Sequence, residues 1–224
     1  MFQSFASKLL WFVLLLALGL VLWERAPDLV RMPGTFLSPT SKTAFDNWLA
    51  EDPQRQDEFL DFERFLLENE VSGIVPAWQL TRIDAHYAQR CDLPVFRIPP
   101  SALWQNALPA LRLVRDEVEP RVGQVQVLSS YRTPELNQCA RGASRSNHLE
   151  FSALDLATED RRRGAEFYQE LCAMQDRAGP ESRMGLGAYF DPTEPDYAGG
   201  RFHIDGEGYR SWGRSYTSAS SPCN

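Results

Sequence analysis

The order of elements in the sequence predicts an α+β protein, in which helices come first and a small antiparallel sheet with an inserted helix follows. Apolar residues recur at helical spacing over 44–50 and 56–68, and alternating Val and Gln from Val122 to Leu128 predict a half-buried strand. The chain has 224 residues, of which 43% are hydrophobic, and this is enough for one domain with a true core plus additional sequence.

The N-terminal segment predicts a membrane anchor. Leu9 to Trp23 carries no charge and is apolar on all sides, and Ser4 to Trp23 reaches the ~20 residues of a membrane span if Lys8 extends towards the headgroups. A cleaved signal peptide is the alternative, although no clean small-x-small site follows the apolar run. We expect residues 1–26 to form a cytoplasmic tip and a single-pass anchor in a bacterial inner membrane, with the remainder exported to the periplasm. After signal cleavage the protein would instead be free in the periplasm.

Charge and cysteine spacing argue against two kinds of site. The formal charge of −7 argues against a nucleic-acid partner, because such proteins carry a basic face. The four cysteines have no C-x-x-C spacing, so a cysteine zinc site is not expected. Three disulfide pairings are open, and buried free thiols are a further alternative. Nothing in the sequence sets the oligomeric state.

The rest of the chain divides by composition. Residues 27–41 are rich in Pro, Gly, Ser and Thr and predict a linker. Residues 42–96 predict helices that break at Asp52-Pro53 and pack on the remainder, a stalk or partner surface being the alternatives. Residues 97–224 hold the functional motifs. There we expect a helix capped by Ser101 and interrupted by Pro109, a helix over 163–175, and further strands over 153–156, 184–190 and 201–205.

Two of the three histidines belong to a pattern typical of a catalytic zinc site. His148 precedes Asp155 by seven residues, and His203 lies two residues before Asp205. Two imidazoles and one carboxylate are the usual protein ligands of catalytic zinc, which keeps a fourth position open. Because side chains on a strand repeat every two residues, Asp205 is expected to share the face of His203. From there it could orient a ligand or accept a proton.

Separated sequence blocks occur in the order that a known family has. They are Tyr131-Arg132-Thr133-Pro134 with Asn137, then Gly142-Ala143, then Ser146-x-His148 with Ala153 and Asp155, and finally His203-x-Asp205 with Arg210 and Trp212. From about Arg97 to Gly213 the chain therefore resembles the zinc D-alanyl-D-alanine carboxypeptidase and peptidoglycan metallopeptidase superfamily. It is most similar to the branch that ends in His-x-Asp followed by Arg-x-Trp.

The resemblance implies a hedgehog-like fold, with a small antiparallel sheet and flanking helices. It implies Zn²⁺ held by His148, Asp155 and His203, and an Arg132 that grips a carboxylate or carbonyl of the substrate, as its planar fork allows. Tyr131 and Ser146 are further candidates for substrate binding, although such aromatic residues more often belong to the core. The expected site residues therefore fall into three groups. Asp205 and Arg132 are the expected catalytic residues, and His148, Asp155 and His203 are the expected metal ligands. Arg132, Tyr131 and Ser146 are the expected contacts with the substrate.

The implied activity is that of a zinc metallopeptidase, either a carboxypeptidase or an endopeptidase. Its substrates would be peptide bonds in peptidoglycan stem peptides or cross-links, and the sequence does not select the bond. The alternative is a non-catalytic, zinc-stabilised module that binds peptidoglycan or a protein partner.

The chain departs from the family pattern at the positions that shape the site. Phe151 stands where the family has Gly, and we expect it to need a different local backbone or a roomier pocket. Another branch carries its general base, a Glu, three residues before the last histidine, where this chain has Gly200. The base must then come from another acid. The candidates are Asp205 first, followed by Glu207, which replaces a family Gly, and by the loop acids Glu194 and Asp196.

Overall fold

The computed structural model describes residues 38–190 and 199–224. The predicted anchor, most of the predicted linker, and the loop acids Glu194 and Asp196 lie outside the described residues. Within the described part of the chain, no helix combines the length and the apolar character that a membrane crossing requires.

Two helices open the described chain, α1 (Lys42–Ala50) and α2 (Pro53–Glu68). The Ser41 hydroxyl accepts a hydrogen bond from the Ala44 amide at the start of α1. Asp52 caps α2 through the amide of Gln54, and Pro53 occupies the first turn, where a missing amide proton leaves no bond unmade. The predicted break at Asp52-Pro53 is confirmed.

The shorter helices are α3 (Ala85–Arg90), α4 (Leu108–Leu113), α5 (Glu119–Val122) and α6 (Pro134–Cys139), and α7 (Ala165–Ala178) is longer. A 3-10 helix, Ser101–Ala107, leads into α4, and Ser101 makes no capping hydrogen bond, contrary to the prediction. Pro109 lies in the first turn of α4 and therefore starts that helix rather than interrupting one.

A mixed sheet of five strands forms within the described residues. Its strands are β1 (Val125–Ser129), β2 (Ala153–Thr158), β3 (Gly185–Ala188), β4 (Phe202–Asp205) and β5 (Arg210–Trp212). Their order is β1-β2-β4-β3-β5. The pairs β1–β2, β2–β4 and β3–β4 are antiparallel, whereas β5 runs parallel to β3. The α+β class is confirmed, and the prediction of a wholly antiparallel sheet was wrong because a three-residue strand shows no period.

The N-terminal helices share one hydrophobic core with the sheet. Phe62 of α2 is fully buried, and its ring lies 5.1 Å from the ring of Trp104 and 6.1 Å from that of Phe151, measured between centroids. The Trp104 indole donates a hydrogen bond to the Pro99 carbonyl at 2.7 Å. Residues 42–68 therefore rest directly against the loop that carries His148.

All four cysteines are paired. Cys91–Cys139 joins the ends of α3 and α6, and Cys172–Cys223 joins α7 to the C-terminal tail. The sequence left three pairings open, and the structure selects this one. The alternative of buried free thiols was wrong, since the described residues contain no free cysteine.

Candidate metal centre and active site

Three buried side chains from three elements converge on one point. His148 lies in a 3-10 turn, Asn147–Glu150, while Asp155 of β2 stands directly opposite His203 of β4 in the antiparallel register. Opposed residues share a face of the sheet, so the carboxylate and the imidazole meet. His148 Nε2 lies 3.3 Å from Asp155 Oδ2 and 3.2 Å from His203 Nδ1, and His203 Nδ1 lies 3.1 Å from Asp155 Oδ1. All three ligand atoms fall within 4.8 Å of one another.

The outer nitrogen of each ring has an acceptor, which fixes the tautomer. His148 Nδ1 donates to the Ser130 carbonyl at 2.6 Å, and His203 Nε2 donates to Asp205 Oδ2 at 3.0 Å. His148 Nε2 and His203 Nδ1 therefore turn their lone pairs towards Asp155. Metal-binding histidines are oriented by such partners, and two imidazole nitrogens with one carboxylate oxygen fit Zn²⁺.

The charges around Asp155 keep it ionised. Burial alone would raise the pKa of Asp155, but the charge of Arg201, together with the charge and hydrogen bond of His148 and the hydrogen bond of His203, outweighs burial and holds that pKa well below its usual range. Arg201 bonds Asp155 Oδ2 with one nitrogen and Asp84 Oδ2 with another, the latter at 2.6 Å. Asp84 in turn caps α3 through the Tyr87 amide at 3.1 Å. A ligand carboxylate has to be ionised, and this arrangement secures that state.

The two histidines differ in their affinity for protons. Burial lowers the pKa of His148. Burial also acts to lower the pKa of His203, but the hydrogen bonds and charges of Asp155 and Asp205 outweigh it, so that this pKa is raised. The cluster thus attracts positive charge at His203 Nδ1, where a cation and a proton compete.

Asp205 is fully buried and its oxygens already have partners. Arg210 donates to Oδ1 at 3.0 Å and to Oδ2 at 2.8 Å, His203 donates to Oδ2, and the Glu207 amide donates to Oδ1 at 2.9 Å. Burial acts to raise the pKa of Asp205, but His203 and Arg210 together lower it strongly. The predicted proximity to His203 is confirmed, and the carboxylate holds that ring from the side opposite Asp155.

Two glycines in β3 leave room for side chains of the neighbouring strands β4 and β5 to meet above that strand. Gly185 pairs with both Asp205 and Arg210, and a Cβ there would lie 2.5 Å from Asp205 Oδ1 and 2.6 Å from an Arg210 nitrogen. A Cβ at Gly187 would lie 2.8 Å from the His203 Cβ and 2.9 Å from the Trp212 ring. Glycine in a strand interior marks close approach of this kind. The sequence analysis missed this role, although the Gly-x-Gly spacing was its signal.

The backbone conformation explains two of the three positions at which the sequence departs from the expected pattern. Gly200 has φ +72°, and a Cβ there would lie 2.1 Å from the Arg162 carbonyl oxygen, so no side chain fits. Phe151 has φ +56°, in the left-handed region that favours glycine. Its ring is fully buried against Phe62 rather than directed into the metal cluster. The expected roomier pocket is therefore not required.

Arg132 is held beside the cluster with one donor unused. Its amide donates to the His148 carbonyl at 2.8 Å, and one guanidinium nitrogen makes a long hydrogen bond of 3.5 Å to Asn137 Oδ1. Arg132 Nε is buried and has no hydrogen-bond partner among the described residues. A Cβ at Gly142 would lie 2.2 Å from Asn137 Oδ1, so this glycine makes room for the pair.

The remaining predicted residues occupy different surroundings. Tyr131 is only 7% exposed and packs in the hydrophobic core, the surroundings expected of most such aromatic residues. Ser146 precedes the 3-10 turn of His148, is half-buried, and does not cap the turn. Glu207 is exposed, in the turn between β4 and β5. Trp212, by contrast, packs against the metal cluster, with its ring centroid 5.0 Å from that of His203.

Comparison with known proteins agrees with this geometry. A family model described as Peptidase M15 matches residues 80–179, which is less than half of the chain. The M15 peptidases are D-Ala-D-Ala carboxypeptidase-like and zinc-dependent, so the match indicates a metallopeptidase. The matched range contains His148 and Asp155, and it starts before the domain boundary predicted at residue 97. His203 lies beyond it. Neither curated proteins nor solved structures yield a match.

Proposed function

We propose that this protein is a zinc-dependent peptidase that hydrolyses peptide bonds in peptidoglycan stem peptides or cross-links. The observation that carries the proposal is the convergence of His148 Nε2, His203 Nδ1 and an Asp155 oxygen, with both outer ring nitrogens bound to acceptors. The match to Peptidase M15 supports the same class of reaction.

In the proposed reaction, different residues would bind the metal and orient its ligands. Bound Zn²⁺ would supply a Lewis acid that activates water for attack on a peptide carbonyl. His148, Asp155 and His203 would hold the metal, while the Ser130 carbonyl and Asp205 fix the two rings.

Arg132 is the candidate group for gripping the substrate. Its side chain is partly exposed and its amide is bonded to the His148 carbonyl, so the planar guanidinium fork is placed near the cluster and suits a substrate carboxylate. Ser146, half-buried beside the His148 turn, remains a candidate for a further contact with the substrate.

We infer that Asp205 positions His203 and does not accept the proton of the attacking water. Its buried oxygens are engaged by Arg210, His203 and the Glu207 amide, so a water would have to displace one of these bonds. Of the acids that the sequence singled out as bases, Glu207, Glu194 and Asp196 remain as candidates.

A second candidate function is a binding module that keeps zinc for structure. The observation that favours it is Gly200, because the backbone there excludes the acidic side chain that serves as base in related enzymes. Such a module would bind stem peptides through Arg132 without cleaving them.

The proposed site of action is outside the cytoplasm. The anchor expected at Leu9–Trp23 would keep the protein at the inner membrane, beside the peptidoglycan layer. Two disulfides support export, since such bonds persist in oxidising compartments and are rare in the cytosol.

Zinc analysis and digestion of purified peptidoglycan test the proposal. We expect one zinc per chain, released soluble products whose masses identify the bond, and loss of both under a chelator. His148→Ala should abolish metal binding and cleavage, whereas His86→Ala should change neither, because His86 is an exposed histidine outside the cluster. Zinc binding with unchanged peptidoglycan would instead support the binding module.

A further inference from the structure

One cationic side chain beside the metal cluster has no acidic partner. Arg201 and Arg210 are each paired with buried carboxylates, whereas Arg132 forms no ion pair with any residue that the structure describes. The Arg132 amide donates to the His148 carbonyl at 2.8 Å, which places this residue directly beside a candidate metal ligand. Arg132 is half-buried, so a ligand can still reach its guanidinium, which is always charged.

Among the described residues, the hydrogen-bond partner of the Arg132 guanidinium is a neutral side chain. Asn137 Oδ1 accepts from an Arg132 nitrogen at 3.5 Å, and Asn137 Nδ2 donates to the Ala143 carbonyl at 3.1 Å. A carbonyl can only accept, so Nδ2 must face it and Oδ1 must face the guanidinium. Asn137 is only 8% exposed, so its amide is largely shielded from water.

The main chain fixes the position of the Asn137 amide. Asn137 lies in α6, whose first turn is capped by the Thr133 hydroxyl and whose last residue, Cys139, is joined by a disulfide to the end of α3. The Gly142 amide donates to the Asn137 carbonyl at 2.9 Å. A Cβ at Gly142 would lie 2.2 Å from Asn137 Oδ1 and 3.0 Å from an Arg132 nitrogen, so a side chain there would disturb this contact.

The neutrality of Asn137 determines what Arg132 can bind. A carboxylate in place of this amide would form an ion pair with the guanidinium, as Asp205 does with Arg210. A substrate carboxylate would then have to compete with that internal anion. An amide oxygen accepts a hydrogen bond from the guanidinium and leaves its charge unbalanced. The contact therefore orients the Arg132 side chain without neutralising it.

We propose that Asn137 is a positioning residue for Arg132, whose neutral amide holds the guanidinium in its orientation and leaves the positive charge free for a carboxylate of the substrate. Gly142 supplies the space that this contact needs. The inference rests on the proposed function, in which Arg132 grips the stem peptide, and adds the residue that sets the strength of that grip. Asn137 acts through Arg132 and takes part in no bond-making step.

Asn137→Asp in the full chain is the test, because it keeps the size of the side chain and adds the competing charge. With muropeptides that end in a free carboxylate, we expect KM to rise by about tenfold while kcat changes by less than about threefold, and zinc content should be unchanged. Asn137→Ala removes the contact without adding a charge and should raise KM by only about threefold.

Asn106→Asp is the matched control. The Asn106 amide also donates to a main-chain carbonyl, that of Glu150 at 2.9 Å, but no hydrogen bond in the described part of the chain joins it to a guanidinium. This substitution makes the same chemical change on a half-buried residue and should leave KM and kcat unchanged.

Two further variants separate positioning from a structural role. If Asn137 acts through Arg132, Asn137→Asp should change kcat/KM by less than about twofold in an Arg132→Ala background. A role confined to the bond with the Ala143 carbonyl would instead give the same loss in both backgrounds. Gly142→Ala disturbs the contact from the other side, and it should raise KM with kcat and zinc content unchanged.

The outcomes separate this inference from the proposed function, because calorimetry measures muropeptide affinity without cleavage. Wild-type protein that binds muropeptides without cleaving them, with affinity about tenfold weaker in Asn137→Asp, would refute the peptidase and retain the role of Asn137. Unchanged KM and affinity in Asn137→Asp would overturn that role, as would an equal loss in the Arg132→Ala background or loss of zinc from both Asn137 variants. Wild-type protein that neither binds nor cleaves muropeptides would overturn both proposals.

Discussion

Replacing Asp205 by Asn separates a positioning carboxylate from a general base. The substitution keeps the size of the side chain and one acceptor oxygen, but it removes the charge and turns the other oxygen into a donor. That donor would face either Arg210 or His203, both of which are donors themselves. We therefore expect the Arg210 ion pair to break and the His203 ring to be held less firmly in its tautomer.

The size of the effect follows from the burial of the partners. Asp205 is fully buried, and breaking a buried pair costs about 3–5 kcal/mol. The Arg210 side chain is 42% exposed, so solvent compensates part of this, and we expect a loss of about 2–3 kcal/mol in the free energy of unfolding. Because the His203 ring loses the Asp205 carboxylate as its partner, the affinity for zinc should fall by about 10–100-fold.

Urea unfolding of the metal-free protein and zinc competition against a chromophoric chelator measure the two quantities. Glu207→Gln is the control, because it removes an adjacent but exposed carboxylate and should leave both unchanged. A variant that keeps wild-type stability and zinc affinity but loses activity by 10²-fold or more would refute our reasoning and restore Asp205 as the base.

Three further substitutions and one deletion test other parts of the structure. Arg132→Lys keeps the charge but removes the planar guanidinium fork, so KM should rise with little change in kcat or zinc content; a large fall in kcat alone would contradict a binding role. Phe151→Gly relieves a left-handed backbone but deletes a buried ring, and thermal or urea unfolding should show a net loss of about 2–4 kcal/mol with zinc retained. Gly200→Ala should destabilise the fold through contact with the Arg162 carbonyl, and wild-type stability would show that this turn can relax. Full-length protein should sediment with membranes and be released when residues 1–26 are deleted; a soluble full-length form would refute the anchor.

The candidate metal centre could be predicted from the sequence because its ligands are particular residue types. His148 and His203 are two of only three histidines in the chain and occur in a distinctive order with Asp155. Strand alternation was enough to bring Asp205 beside His203. The acceptor of His148 was not accessible, since it is the main-chain carbonyl of Ser130 and any residue supplies one. The pairing register of the strands could not be predicted either. The role of the glycines in β3 becomes clear only in the structure, where Asp205 and Arg210 both pair with Gly185.

Phe151 shows why a residue that departs from a family pattern does not by itself predict the shape of the pocket. A bulky residue at a glycine position suggested a changed pocket, but the conformation of a single residue and the direction of its ring depend on distant packing. The partner that stabilises the ring, Phe62, is 89 residues away in sequence and lies outside the stretch that resembles the family. No local pattern contains that contact.

The contact between Phe62 and Phe151 also bears on how small a working version of this protein can be made. A fragment trimmed to the matched residues 80–179 would lack His203, and it would leave the Phe151 ring and the Trp104 ring without the Phe62 surface that covers them. The smallest autonomous unit should therefore begin before α1 and extend through the C-terminal tail that Cys223 tethers to α7.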